Sequence, residues 1–77
     1  MYYAYLLKCA DGSLYAGWTD DLNKRLTAHN AGLASKYTRS RLPVDIWHYE
    51  TFETRSEAMR REYAFKRMSR KDKLALK

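Results

Sequence analysis

One cysteine, Cys9, in 77 residues excludes an intrachain disulfide and any zinc site built on cysteine pairs. No apolar run approaches the ~20 residues that cross a bilayer. The N-terminal residues lack a basic region followed by an apolar stretch and a cleavage site, so no signal peptide is expected. Internal repeats, low-complexity tracts and linker-like composition are also missing. These absences leave a soluble, cytoplasmic chain forming one domain over residues 1–77 as the expectation. A chain this short buries only ~60% of the surface its unfolded form exposes. Its composition, 45% hydrophobic and 14% aromatic, can still close a small core.

Net negative charge is missing from both parts of the chain, and the positive excess is confined to one of them. Residues 1–53 carry six basic and six acidic residues, so the whole formal charge of +6 sits in residues 54–77. A basic face of this kind attracts polyanions, nucleic acid first and anionic membrane second. It also suits a solvated helix face that keeps a protein in solution.

The stretch from Tyr2 to Gly17 reads as two aromatic-rich strands, residues 2–9 and 13–18, folded back through Asp11-Gly12. A three-residue loop over Ala10-Asp11-Gly12, with Gly12 left-handed, pairs Cys9 with Ser13, Leu7 with Tyr15 and Tyr5 with Gly17. Tyr3, Tyr5, Leu7, Tyr15 and Gly17 then share one face, and Ala4, Leu6, Leu14, Ala16 and Trp18 the other. A two-residue turn would instead put Tyr5 and Tyr15 on opposite faces. Both faces are largely apolar, so helices are expected on both sides of the sheet.

A first helix is expected over about Asp20–Ala31, capped by Thr19 or Asp20, with acidic residues in its first turn and Gly32 as its stop. Leu22, Leu26, His29 and Leu33 mark its inward stripe, and Arg25 neighbours His29 one turn away. Residues 34–43 form a basic loop with Tyr37 inside it and no acid. Pro43 leads into a third strand, Val44–Phe52. Thr54-Arg55-Ser56-Glu57 is a capping box opening a second helix to about Met68, with Ala58, Met59, Phe65 and Met68 inward. Ser69 caps a short final helix that ends with Leu74 and Leu76.

Glu62 falls in the middle of that inward stripe. Burying an ionised carboxylate is unfavourable unless it is paired or bound to a metal. An ion pair with Lys66 or Arg25 is the bland account; taken singly, Tyr5, Tyr15, Arg25 and His29 also suit core or surface roles. Together the five suit phosphodiester cleavage. A carboxylate can hold one divalent cation, an Arg fork matches a phosphate, and a phenol or imidazole can orient a water or take its proton. A tyrosine with pKa ~10 is a poor base unless cationic neighbours stabilise the phenolate.

The spacing of these residues resembles the GIY-YIG nucleases over roughly residues 2–70. Tyr5 stands for the first signature, Tyr15-Ala16-Gly17 for the second, with Arg25 ten residues after Tyr15 and His29 one turn later. Ala58-Met59-Arg60-Arg61-Glu62 is similar to the family's alanine-hydrophobic-x-x-glutamate helix. In detail the chain looks most like the small stand-alone bacterial members of the YhbQ type, and it is also similar to the nuclease domain of UvrC. The first signature reads Tyr3-Ala4-Tyr5 and the second has Ala16 in place of isoleucine, both at strand-packing positions.

The resemblance implies an α/β (α+β) fold with a three-stranded antiparallel sheet flanked by helices in the order β-β-α-β-α-α. It implies one Mg²⁺ or Mn²⁺ on Glu62, Arg25 on the scissile phosphate, Tyr5 as general base, and Tyr15 and His29 positioning water and phosphate. The implied activity is an endonuclease hydrolysing DNA, with RNA left open, in DNA repair or processing. No specificity domain is attached, so low sequence specificity and selection by DNA structure are expected. Lys36, Tyr37, Arg39, Arg41, Lys66 and Arg67 would grip the backbone, and no obligate protein partner is indicated. A catalytically weak nucleic-acid-binding module is the alternative, and a small interaction protein with purely structural tyrosines is a third.

Overall fold

In the computed structural model, which describes residues 1–76, strand β1 (Tyr2–Lys8) turns back into β2 (Leu14–Thr19). Gly12 sits at φ +84°, a region closed to most side chains. Its N–H donates to the Cys9 carbonyl at 2.9 Å, and the Cys9 N–H donates to Ser13 at 2.8 Å. The Asp11 carboxylate accepts from the Ser13 backbone and hydroxyl at 3.0 and 2.6 Å, which stiffens the turn. Leu7 therefore faces Tyr15 and Tyr5 faces Gly17, the register expected of the odd loop.

The third strand, β3 (Asp45–Phe52), pairs antiparallel with β1, so the sheet order is β2-β1-β3 and β1 is central. The ladder pairs Leu6 with His48 but Leu7 with Ile46, a bulge that leaves Trp47 as the extra residue. On one face Ala4, Leu6 and Ala16 close around Phe65, with Trp47, Phe52, Met68 and Leu76 at the margin. On the other face Tyr5, Leu7, Cys9 and Val44 gather with Tyr15, Leu22, Leu26, Leu42 and Ile46. Helices thus cover both faces, as the double-sided apolar pattern requires.

Helix α1 (Leu22–Asn30) starts later than expected. Its cap is Asp21, whose carboxylate accepts from the Lys24 N–H at 3.0 Å, and no acid lies in its first turn. Thr19 cannot cap because it is still paired in β2, opposite Tyr3. Its hydroxyl oxygen instead accepts the Asp21 N–H at 3.1 Å and braces the strand-to-helix corner. At the far end Gly32, at φ +77°, donates to His29 and Leu33 donates to Ala28, both at 3.0 Å. This paired closure ends the helix before Leu33, which is 82% exposed and not on the inward stripe.

Within the expected loop the chain makes a one-turn helix, α2 (Lys36–Arg39), capped by the Ser35 hydroxyl. Helix α3 (Arg55–Arg67) opens on the Thr54/Glu57 capping box, a device that stabilises a helix by about 1 kcal/mol. Ala58 and Phe65 are fully buried, but Met59, expected inward, is 45% exposed. Ser69 caps α4 (Arg70–Leu74). The Trp47 indole donates to the Lys73 carbonyl at 3.1 Å and ties α4 to β3. Among the described residues no helix is long and apolar enough to cross a membrane.

Candidate active site

Tyr5 lies on the central strand and its ring crosses the backbone of Gly17 on β2. A Cβ at position 17 would fall on the Tyr5 hydroxyl and within 2.5 Å of the ring carbon Cζ. A strand glycine opposite an aromatic residue is the one sequence signal of such a close approach. The Tyr5 side chain is therefore fixed from below by Gly17 and from above by helix α1.

His29 on α1 meets it there. Tyr5 Oη lies 3.0 Å from His29 Nε2, and His29 Nδ1 lies 2.8 Å from Thr38 Oγ1 on α2. The Thr38 hydroxyl donates to the Ser35 carbonyl at 3.3 Å, so its oxygen is left to accept from Nδ1. Nε2 is then the acceptor, and the Tyr5 hydroxyl donates to it. All three side chains are almost completely buried, at 2%, 1% and 0% exposure for Tyr5, His29 and Thr38. The sequence reading did not single out Thr38; only the helical turn capped by Ser35 brings it to the imidazole.

Burial pushes the Tyr5 phenol up to about 12; the Arg25 cation opposes this, and Tyr15 and Glu62 reinforce it. A phenol with this pKa stays protonated at neutral pH, because burial outweighs the nearby Arg25 cation. Burial, and then the Arg25 charge, pull His29 below the ordinary imidazole range. Both effects favour the neutral imidazole.

Tyr15 packs edge-on to the His29 ring at 5.4 Å and stacks on Tyr37 at 5.7 Å. The Arg41 guanidinium lies over the Tyr37 ring, 3.9 Å from its centre. Arg41 also pairs with Asp11 at 3.0 Å and donates to the Tyr37 carbonyl at 2.8 Å. Its Nε and Nη1 are engaged in holding α2 to the β1–β2 turn. Asn30 does similar work at the end of α1, exchanging hydrogen bonds of 2.8 and 3.0 Å with the Val44 backbone.

Glu62 stands at the margin of the α3 stripe rather than in its middle, with its side chain 20% exposed and paired to Lys66 at 3.5 Å. Of the two ion pairs the sequence allowed, this is the one with Lys66. A family model described as the GIY-YIG catalytic domain matches residues 1–75. The chain belongs to that family. A UPF0213 protein of Bacillus pumilus is 58% identical over 94% of this chain and 74% of its own length. Another, from Halobacterium salinarum, is 50% identical over 99% of both chains. A solution structure of the E. faecalis protein EF2693 is 50% identical, with a TM-score of 0.63 over 96% of this chain and 79% of that one. The UPF0213 protein BH0048 of Bacillus halodurans gives 43% identity and a TM-score of 0.61 over 99% and 82%.

In this GIY-YIG domain three signature positions depart from the family pattern: Ala4 and Ala16 are buried against Phe65, and Tyr3 is half-buried beside Tyr49. They are packing positions, as expected. Lys36, Tyr37 and Arg39 are presented together on α2 and are all exposed, with Tyr37 at 38%. On α3 the Arg67 guanidinium donates to the Tyr63 hydroxyl at 3.2 Å. No group of three or more metal-ligating side chains gathers among the described residues. A hard cation completed by water and phosphate oxygens needs only one or two protein carboxylates, so the Glu62 donor fits such an ion.

The buried imidazole gives a pH prediction. Its folded pKa lies below 6.5 and its unfolded pKa near that value, so the unfolded chain binds the extra proton first. Its contribution to stability is complete above about pH 6.5 and is lost as pH falls through the folded pKa. Thermal melts across this range, with ¹⁵N imidazole shifts of His29, check it: an Nδ1–H tautomer and a midpoint below that of a free imidazole are expected.

Proposed function

We propose that this GIY-YIG domain is a divalent-metal-dependent endonuclease that hydrolyses DNA phosphodiester bonds with low sequence specificity. The observation that carries the reading is the buried Tyr5–His29–Thr38 chain, with Arg25 beside it and a part-exposed carboxylate, Glu62, within electrostatic reach of Tyr5. A packed core has no need of a continuous proton-conducting chain with a cation and a carboxylate at its mouth.

Arg25 is exposed and close enough to lower the pKa values of both Tyr5 and His29. Its fork would take two oxygens of the scissile phosphate and stabilise the charge that builds in the transition state. Tyr5 acts as a conduit: as it accepts a proton from the attacking water, its own proton passes to His29 Nε2. The water oxygen then bonds to phosphorus while the ester oxygen leaves. Thr38 holds Nδ1–H, which keeps the accepting nitrogen turned to Tyr5. Glu62 would hold the metal ion, which when bound neutralises phosphate charge and favours departure of the leaving oxygen. Lys36, Arg39 and the basic face of α3 would hold backbone phosphates, contacts that carry no sequence information.

The test is cleavage of labelled duplex, flap, junction and single-stranded DNA in Mg²⁺, Mn²⁺ or EDTA. Cutting in either metal and none in EDTA is expected. The Glu62–Lys66 pair favours a second reading, a binding module in which Glu62 is structural. Binding without cutting in any metal would establish that reading instead.

A further inference from the structure

Beside Arg25, at the β2–α1 corner, the surface opens into a groove of about 290 Å³ lined by Tyr2, Trp18, Thr19, Asp20, Arg25 and Arg55. This is near the small end of ligand sites, which run from ~300 to ~1,000 Å³. Trp18 is on the α3 face of the sheet, opposite Ala4, and the Arg55 guanidinium lies 5.8 Å from its ring centre. The groove shares Arg25 with the candidate active site, so whatever occupies it adjoins the phosphate that Arg25 would hold.

We infer that this groove takes the base of the nucleotide next to the scissile phosphate, unstacked from its neighbours, with Trp18 as the stacking platform. The inference rests on the nuclease reading and names its substrate class: nucleic acid with an unpaired nucleotide at the cut. Two features select a base over a phosphate. The Asp20 carboxylate repels a phosphate and accepts hydrogen bonds from a base N–H, such as thymine N3–H or an exocyclic amine, and Trp18 offers a π-face that any base can use. Arg55, at the first turn of α3, lies over the same ring at 5.8 Å and carries the positive charge that draws the strand in. A base paired within a duplex cannot reach the groove without being turned out, and that step is least unfavourable where the strand is already single.

The test uses the full chain in EDTA, where no cutting intervenes. Three labelled probes of equal length are compared: oligothymidylate, a strand of abasic residues, and a duplex. Anisotropy and tryptophan fluorescence are the readouts. Oligothymidylate is expected to bind about tenfold more tightly than the abasic strand or more, and to quench the tryptophan emission. Trp18→Leu reduces its affinity to the abasic level, while Trp18→Phe retains most of the preference and loses the quenching. The remaining tryptophan, Trp47, lies under Lys8 at the opposite end of the sheet and does not report on the groove. Equal binding of thymidylate and abasic strands, or unchanged preference in Trp18→Leu, overturns the inference. If Trp18→Leu does not fold, absence of quenching in the unaltered protein overturns it equally. The two readings fail separately. Base-dependent binding with no cutting in Mg²⁺ or Mn²⁺ removes the nuclease and leaves the base site, whereas cutting with base-independent binding does the reverse.

Discussion

Glu62→Gln and Arg25→Ala each lower metal-supported DNA cutting by about 100-fold or more while the chain stays folded. The size follows from transition-state electrostatics: one preorganised group aimed at developing charge contributes about 10²–10³ in rate. Glu62→Gln keeps the shape of the side chain but removes the anionic oxygen a hard cation requires. Its stability consequence is small, because among the described residues the one ion pair it breaks is an i,i+4 pair with a Lys66 side chain that is 57% exposed. Such pairs contribute about 0.3–0.5 kcal/mol. Comparison with Lys66→Ala separates the roles of the carboxylate. If Glu62 were only the partner of Lys66, both variants would melt at the same slightly lowered temperature and cut equally well. The rate at saturating DNA is instead expected to fall in Glu62→Gln alone, Lys66→Ala raising only the DNA concentration needed for saturation. Rates at saturating DNA, with circular dichroism melts of each variant, decide it.

Gly17→Ala carries the second large effect, and it comes from space rather than charge. The new methyl group would occupy the volume of the Tyr5 hydroxyl and Cζ. Tyr5 is 2% exposed on the central strand, so its ring has nowhere to retreat without leaving His29 Nε2. Overpacking of this kind costs about 1–3 kcal/mol. Breaking the Tyr5–His29 hydrogen bond also strands two buried polar groups. Cutting is expected to fall by about 100-fold, the size of a lost proton-transfer group, and to match that of Tyr5→Phe. The double variant Gly17→Ala/Tyr5→Phe then cuts no worse than Tyr5→Phe, because both act on the same hydroxyl. Additive losses in the double variant would show that Gly17 acts somewhere other than through Tyr5.

Much of the fold was legible locally. The hairpin register depended on Gly12 taking a left-handed conformation, and the sequence placed a glycine there after an aspartate that braces the turn. The capping box at Thr54 and the stop at Gly32 were equally readable, since each is written in adjacent residues. The start of α1 was not. Thr19, Asp20 and Asp21 can all cap a helix, and pairing of Thr19 across the sheet decided among them. Leu33 and Met59 failed for a related reason: periodicity predicts which residues share a helix face, but not where the helix stops or how far the sheet beneath it extends.

The candidate site divides the same way. Tyr5, Tyr15, Arg25, His29 and Glu62 were identifiable from residue type and spacing, because strand and helix periods place them at predictable heights along their elements. Their partners were not. Thr38 reaches His29 through a one-turn helix hidden in a basic loop, and Arg41 is paired with Asp11, thirty positions earlier. The sequence by itself determined the hairpin, the helix caps and the concentration of positive charge in the last third of the chain, all products of short-range sterics and composition. Tertiary structure alone decided that β1 is central, that His29 Nε2 meets the Tyr5 hydroxyl and that Trp18 and Arg55 share a groove with Arg25. Those facts join residues far apart in the chain, and only closure of a common core fixes which side chains then meet.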